Sequence, residues 1–187
     1  PVSPAGSPGS PGSNGEPPFL PSIPPNPDNH LSERVIEILY GCHYTSQIST
    51  NNISGVIDCI NDSSLSSGQK AYITSNFSIS VQNHTYLQCV GFVRAIVEAQ
   101  GLSLPRCGDA KDFVNCPYIS NYVDEPSPGV LGVFGGGAWG HIGIITAVTT
   151  NEAGNKKCRF ASAWGGNGMV NVVSYPCDSF DALIKLY

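Results

Sequence analysis

Apolar residues recur at helical spacing in two segments that follow position 30 of the chain. In the segment 31–42 they stand three and four positions apart, and a glycine near its end supplies a typical helix stop. The segment 53–62 repeats this pattern with four isoleucine and valine residues on one face. Ser66 and Ser67 are expected to cap a third helix, and a loop is then expected to run through Asn83. The pattern predicts an N-terminal part made of short helices.

The clearest helix signal begins at Thr85. The tetrapeptide Thr85–Gln88 matches a capping box, in which the first and fourth side chains exchange hydrogen bonds with each other's backbone N–H groups. The apolar run that follows, CVGFVRAIVEAQ, has helical spacing and ends at Gly101. Thr85 is therefore predicted as the N-cap, and Cys89 falls in the first turn of the helix.

The segment from Pro128 to Val148 predicts β-structure. Its apolar residues form two short runs, Gly129–Phe134 and His141–Val148, on either side of a glycine-rich turn. We expect two neighbouring strands here, with His141 at the start of the second.

Residues 1–30 are dominated by proline, glycine and serine and are expected to form a disordered linker. We expect one domain over residues 31–187, divided into a helical part, 31–84, and a catalytic part, 85–187. The chain starts at Pro1, and its single methionine is Met169. We therefore expect a processed chain, with any targeting segment upstream of it.

Composition excludes several functional classes. Apolar residues make up 41% of the chain, which is enough for a hydrophobic core. The net charge is −5 and the nine Lys and Arg residues are scattered, so we expect no nucleic-acid partner. No apolar run reaches the roughly 18–20 residues that span a bilayer, so membrane insertion is not expected.

The seven cysteines contain no CxxC motif, so a zinc ribbon or a thioredoxin-type site has no support. Three disulfides and one free cysteine in an oxidising compartment explain this number best. Connectivity does not follow from a sequence, but pairing of neighbours would join 42–59, 107–116 and 158–177 and leave Cys89 free. A free cysteine is either an inert core residue or a reactive thiol.

The predicted position of Cys89 favours reactivity. Backbone N–H groups and the positive helix dipole at a helix start stabilise a thiolate, and the same N–H groups can receive an oxyanion. A cysteine nucleophile also needs a base. His30 and His43 are expected in solvated loops, and His84 is a rival because it is close to Cys89 in sequence. His141, at the start of a buried strand, has the strongest context.

Four blocks in order resemble the CHAP family, the cysteine- and histidine-dependent amidohydrolases/peptidases. They are QCVGFV at 88–93, GDAKDF at 108–113, the glycine-rich stretch at 128–148 and FASAWGGNG at 160–168. Each block alone is a weak signal, and the ordered set is specific. The resemblance covers the chain from Tyr86 to about Tyr175. It implies an α+β, papain-like fold, in which N-terminal helices pack on a small, bent antiparallel sheet.

The resemblance also implies roles for individual residues. Cys89 would be the nucleophile and His141 the general base, and no metal or cofactor would be required. Gln88 would lie at the mouth of the site, and the backbone N–H of Cys89 would contribute to the oxyanion hole. Trp139 and Trp164 would flank a substrate groove, or they simply pack at the rim of the core.

The sequence departs from the family where a third catalytic residue is expected. Family members carry Glu or Asn on the strand after the histidine, and this chain has Ala161 and Ala163 at those positions. Ser162 is expected to point to the other face of the strand. The third residue therefore looks lost, and a backbone carbonyl, a water molecule or Asn167 could replace it.

The function implied is that of a secreted or cell-surface cysteine hydrolase that cuts amide bonds in bacterial peptidoglycan, as an amidase or an endopeptidase. We expect a monomer. The alternative is a catalytically inactive CHAP-like module that binds the cell wall or an interaction partner. A third possibility, a disulfide-stabilised extracellular domain without hydrolase activity, leaves the ordered blocks unexplained.

Overall fold

The computed structural model describes residues 28–42, 47–164 and 166–187, so almost all of the predicted linker and His43 lie outside the described residues. Helices precede strands along the chain, and the α+β class is confirmed. The α-helices are α1 Leu31–Gly41, α2 Ile53–Asn61, α3 Ser67–His84 and α4 Cys89–Ala99, and short 3₁₀ helices span Ala110–Asn115 and Cys177–Ser179. The strands are β1 Leu131–Phe134, β2 His141–Thr150, β3 Lys156–Trp164, β4 Met169–Pro176 and β5 Ala182–Ile184.

The strands form one antiparallel sheet in the order β4-β3-β2-β1-β5. One face of the sheet packs against the helices in a single large core that includes Phe77, Phe92 and Ile142. The opposite face carries a smaller cluster around Ile145 and the disulfide-bonded Cys158. The chain therefore presents two different sheet faces, and the side of the sheet on which a residue lies decides what it can contact.

The predicted helices α1 and α2 are confirmed, and a disulfide between Cys42 and Cys59 joins them. The other two predicted pairs, Cys107–Cys116 and Cys158–Cys177, are also present, and Cys89 is free. Within the described residues, no helix has the length and apolar character needed to cross a membrane.

The prediction of a loop through Asn83 was wrong, because α3 continues for 18 residues to His84. Polar residues on its buried side hide the helical pattern in the sequence. Asn76 is only 7% exposed, and its side-chain amide donates to the carbonyl of Tyr72 and to the Glu98 carboxylate, both at 3.0 Å. Buried polar groups that are fully hydrogen-bonded are compatible with a helix interior, although they interrupt its apolar periodicity.

The capping box predicted at Thr85 was also wrong. Thr85 instead ends α3 with a φ of 70°, and α4 begins at Cys89 with Gln88 as its N-cap. The connecting residues are held extended, since the N–H of Leu87 donates to the Ile48 carbonyl at 2.9 Å and that of Gln88 to the Ser80 hydroxyl at 3.0 Å. Tertiary hydrogen bonds thus override the local capping pattern and move Cys89 to the first helical position.

Tyr187 lies beside the first segment that the structure describes. The Tyr187 hydroxyl lies 3.3 Å from Oδ1 of Asn29 and 3.2 Å from the carbonyl oxygen of Pro128. The C-terminal residue therefore contacts the segment that leads into α1.

Candidate active site

Cys89 combines a free thiol with a helix start. Its side chain is 9% exposed, and its sulfur receives a backbone hydrogen bond from Ile142 of β2. Burial raises the pKa of the Cys89 thiol above its ordinary value, and the Asp109 carboxylate acts in the same direction. The backbone N–H groups of Ile142, Val90 and Cys89 itself oppose this shift in pKa without cancelling it. The thiol form therefore predominates at neutral pH.

His141 is the first residue of β2, as predicted, and its ring is enclosed by aromatic residues of β3. It stacks on Trp164, with ring centroids 4.6 Å apart and an interplanar angle of 22°. It also meets the edge of Phe160 at a centroid distance of 5.7 Å. Burial lowers the pKa of His141 from 6.5 to about 4, so the imidazole is neutral at pH 7.

The Ser162 hydroxyl is the hydrogen-bond partner of this imidazole. Its Oγ lies 2.8 Å from Nε2 of His141, and the residue is only 1% exposed. Ser162 points to the face of β3 opposite Ala161 and Ala163, as expected, and the His141 ring lies on that same face. Ala161 and Ala163, named as the lost third-residue positions, are fully buried in the core on the helix side of the sheet. The histidine lies on the other side, because side chains alternate along a strand and His141 contacts Phe160 and Trp164.

The regular pairing of strands β2 and β3 ends at the site. Their register runs toward the site only as far as the pair Ile144–Ala161. Beyond this pair, residues 141–143 pair with β1 and residues 162–164 pair with β4. The Cys89 sulfur meets β2 at Ile142, in the part of β2 that precedes this pair.

The structure thus places the Cys89 sulfur against Ile142, the neighbour of His141 in β2, without joining the side chains of Cys89 and His141. Ile142 shares the helix-side core with Cys89, whereas His141 belongs to the opposite face. Among the contacts of the described residues, no hydrogen bond links the Cys89 thiol to the His141 ring. Both groups are uncharged in this arrangement, so it is not a preformed thiolate–imidazolium pair.

The two tryptophans differ in their surroundings. Trp139 is 71% exposed in the loop before β2, where its carbonyl accepts from the backbone N–H of Lys111 at 3.0 Å. The Lys111 ammonium group also donates to the carbonyl of Ala138 at 2.7 Å and so tethers this loop. Trp164 is 38% exposed, and its indole N–H donates to Asn171 at 2.9 Å. Neither indole is enclosed in the core.

The remaining candidates lie around the site or away from it. Gln88 is half-buried beside Cys89, and its amide donates to the carbonyl of Tyr86 at 3.3 Å. His84 is exposed at the end of α3. The side chain of Asn167 accepts from the N–H of Met169 at 3.0 Å, within the turn before β4.

Sequence reasoning missed two residues, Ser162 and Asp109. The alternation of side chains along β3 would have indicated Ser162 as a partner of His141 only if the face of the sheet occupied by His141 had been known. Asp109 lies in the block GDAKDF and is exposed, so its only sequence signal was membership of that block. No group of three His, Cys, Asp or Glu residues able to hold a metal ion occurs in the part of the chain that the structure covers.

Comparison with known families gives a match over the middle of the chain. Residues 80–159 match the family model described as the CHAP domain, which confirms the resemblance seen in the sequence. The matched span includes Cys89 and His141 and ends three residues before Ser162. Neither the curated proteins nor the solved structures contain a significant match to the chain.

Proposed function

Because residues 80–159 match the CHAP domain model, we propose that the protein is a secreted or cell-surface cysteine hydrolase that cleaves amide bonds in bacterial peptidoglycan. CHAP domains are in general amidases and peptidases. The observation that carries the assignment to Cys89 is the place of its sulfur, which receives a backbone hydrogen bond from Ile142, the neighbour of His141 in β2. Two further features support it, because Cys89 is the free cysteine and stands at the first position of α4.

In the proposed reaction, Cys89 attacks the carbonyl carbon of an amide. The thiol proton passes to the His141 imidazole as the C–S bond forms, because both groups start uncharged. The backbone N–H groups at the start of α4 receive the oxyanion. When the tetrahedral intermediate collapses, the C–N bond breaks and the imidazolium returns its proton to the leaving nitrogen.

The second half of the reaction releases the acid. Water adds to the thioester carbonyl carbon and gives one proton to the imidazole. The C–S bond then breaks, and the Cys89 sulfur regains a proton from the imidazolium. We propose that the Cys89 thiol and the His141 imidazole come into contact only when substrate binds. Catalytic hydrogen bonds in free enzymes are often long and tighten in the substrate complex.

The surroundings of the site support this assignment. Three disulfides suit an oxidising compartment such as the cell exterior. The exposed indole of Trp139 and the partly exposed indole of Trp164 offer apolar surfaces on which sugar or peptide could pack. We further propose a papain-like arrangement and a monomeric protein.

Digestion of purified peptidoglycan tests the proposal. The intact chain is compared with Cys89→Ala and with Thr146→Val, which removes a buried hydroxyl from β2 outside the site. Mass spectrometry should find fragments with the intact chain and with Thr146→Val, and none with Cys89→Ala. The new ends of the fragments would identify the amide that is cut. Fragments that persist in Cys89→Ala would refute the nucleophile.

A second candidate is a CHAP-like module that binds peptidoglycan without cutting it. The observation that favours it is the resting pair of an uncharged thiol and an uncharged imidazole that share no hydrogen bond among the described contacts. This candidate predicts that the chain sediments with insoluble peptidoglycan of several chemical types and releases no fragments. It also predicts that Cys89→Ala sediments equally well.

A further inference from the structure

The Ser162 hydroxyl is buried, and a buried polar group needs a hydrogen-bond partner. The residue is 1% exposed, and the hydrogen bond it makes among the described residues joins its Oγ to Nε2 of His141 at 2.8 Å. Leaving a buried hydroxyl without a partner is unfavourable, so this contact restrains both side chains. Its neighbours Ala161 and Ala163 are fully buried and anchor the backbone of this part of β3.

β3 holds the imidazole in three ways. Trp164 stacks on the ring, Phe160 meets its edge, and Ser162, which lies between them, binds Nε2. The indole of Trp164 is itself fixed by its hydrogen bond to Asn171 of β4. Two aromatic contacts and one directional hydrogen bond leave the ring little freedom to rotate.

We infer that Ser162 is the positioning residue of His141: its Oγ accepts a hydrogen bond from Nε2–H and so leaves the lone pair on Nδ1. This inference rests on the proposed function only for its catalytic consequence. Nδ1 makes no hydrogen bond to any described residue, so it is the ring nitrogen that can take a proton from the thiol or return one to a leaving group. A neutral imidazole carries one N–H, and its partner decides which nitrogen carries it.

A hydroxyl performs this role differently from a carboxylate. It can accept from Nε2–H in the neutral imidazole and in the imidazolium, so it suits both states of the catalytic cycle. It places no negative charge beside the ring. The chain thus retains a group that orients the histidine, although the alanines on either side provide none.

The test is nitrogen-15 NMR of the full chain with labelled histidine at pH 7, with the His141 signals assigned by comparison with His141→Gln. The wild type should carry its proton on Nε2. Ser162→Ala should populate the Nδ1–H tautomer, while Ser162→Thr, which keeps the hydroxyl, should retain Nε2–H. Thr146→Val removes a hydroxyl of similar burial that binds the carbonyl of Arg159, and it should match the wild type.

The same variants have a kinetic readout. Ser162→Ala should lower kcat on peptidoglycan, with little change in KM; removing the groups that orient metal-binding imidazoles costs about tenfold to a hundredfold, and we expect at least a loss of this order. Ser162→Thr should recover most of this loss.

A wild-type Nδ1–H tautomer, or a tautomer that Ser162→Ala leaves unchanged, would overturn the inference. If Ser162→Ala does not fold, the wild-type and Ser162→Thr spectra still decide it. If the wild type cuts no peptidoglycan, the proposed function fails and the NMR comparison still decides the role of Ser162.

Discussion

The buried imidazole of His141 predicts that this protein loses stability in weak acid. The ring has a pKa of about 4 in the folded chain against 6.5 in the unfolded chain. Between these two pH values the unfolded chain binds a proton that the folded chain does not, so acid favours unfolding. This destabilisation by His141 is absent above about pH 6.5 and grows as the pH falls. It stops growing once the folded state is protonated as well, below about pH 4.

The size of the effect follows from the two pKa values. Lowering a pKa from 6.5 to about 4 corresponds to about 3 kcal/mol, at about 1.4 kcal/mol for each tenfold change. This is an upper value, because the ring is partly accessible and solvent screens part of the cost. Even half of it would be a large share of the 5–15 kcal/mol that is typical of folded domains.

Urea unfolding at pH 7, 6, 5 and 4 with the disulfides intact measures the effect. The free energy of unfolding of the wild type is compared with that of His141→Gln, which keeps a polar side chain but does not titrate. Carboxylates titrate in both proteins, so they cancel in the difference. The advantage of the wild type over the variant should shrink as the pH falls. His84→Gln removes an exposed histidine and should behave like the wild type. A difference between the wild type and His141→Gln that stays constant from pH 7 to pH 4 would refute the reasoning.

Three further predictions concern reactivity and stability. Asp109→Asn removes a carboxylate that raises the pKa of the Cys89 thiol, so iodoacetamide should alkylate Cys89 faster at pH 7, and an unchanged rate would contradict this effect. Replacing Cys42 and Cys59 together by serine opens a disulfide with a sequence separation of 17, and urea unfolding should show a loss of about 3 kcal/mol. Gly143→Ala would place a methyl group 2.4 Å from a backbone oxygen of β3 and 2.5 Å from a phenyl ring. It should cost about 1–3 kcal/mol in the same assay, and a neutral result would contradict this close approach of β2 and β3.

Much of the fold could be predicted from the sequence, because its apolar residues follow the periods of helix and strand. The helices α1 and α2 and the strands that flank the glycine-rich turn were predicted in this way. The failures have a common cause, which is that polar groups were satisfied by partners distant in sequence. Asn76 binds Glu98 across 22 positions, and Gln88 takes its backbone partner from Ser80 rather than from Thr85.

The candidate site shows a different limit. The alternation of β3 predicts correctly that Ser162 lies opposite in direction to Ala161 and Ala163. It does not reveal which face His141 occupies, because that depends on the pairing of β2 with β1, where His141 stands opposite Phe134. The alternation along a strand shows which side chains share a face, and only the pairing of the strands in the fold shows which face carries the catalytic groups.

The meeting of Tyr187 with Asn29 has a consequence for how the domain can be connected to other proteins. A segment cut out at residues 29 and 187 would have neighbouring ends, so it could be inserted into a surface loop of another protein, or its ends could be joined by a short peptide while new ends are opened elsewhere. The exposed turn around Gly154, between β2 and β3, is a suitable place for such new ends, since its glycine faces open space. Residues 29–187 are therefore suited to insertion into another protein as one segment.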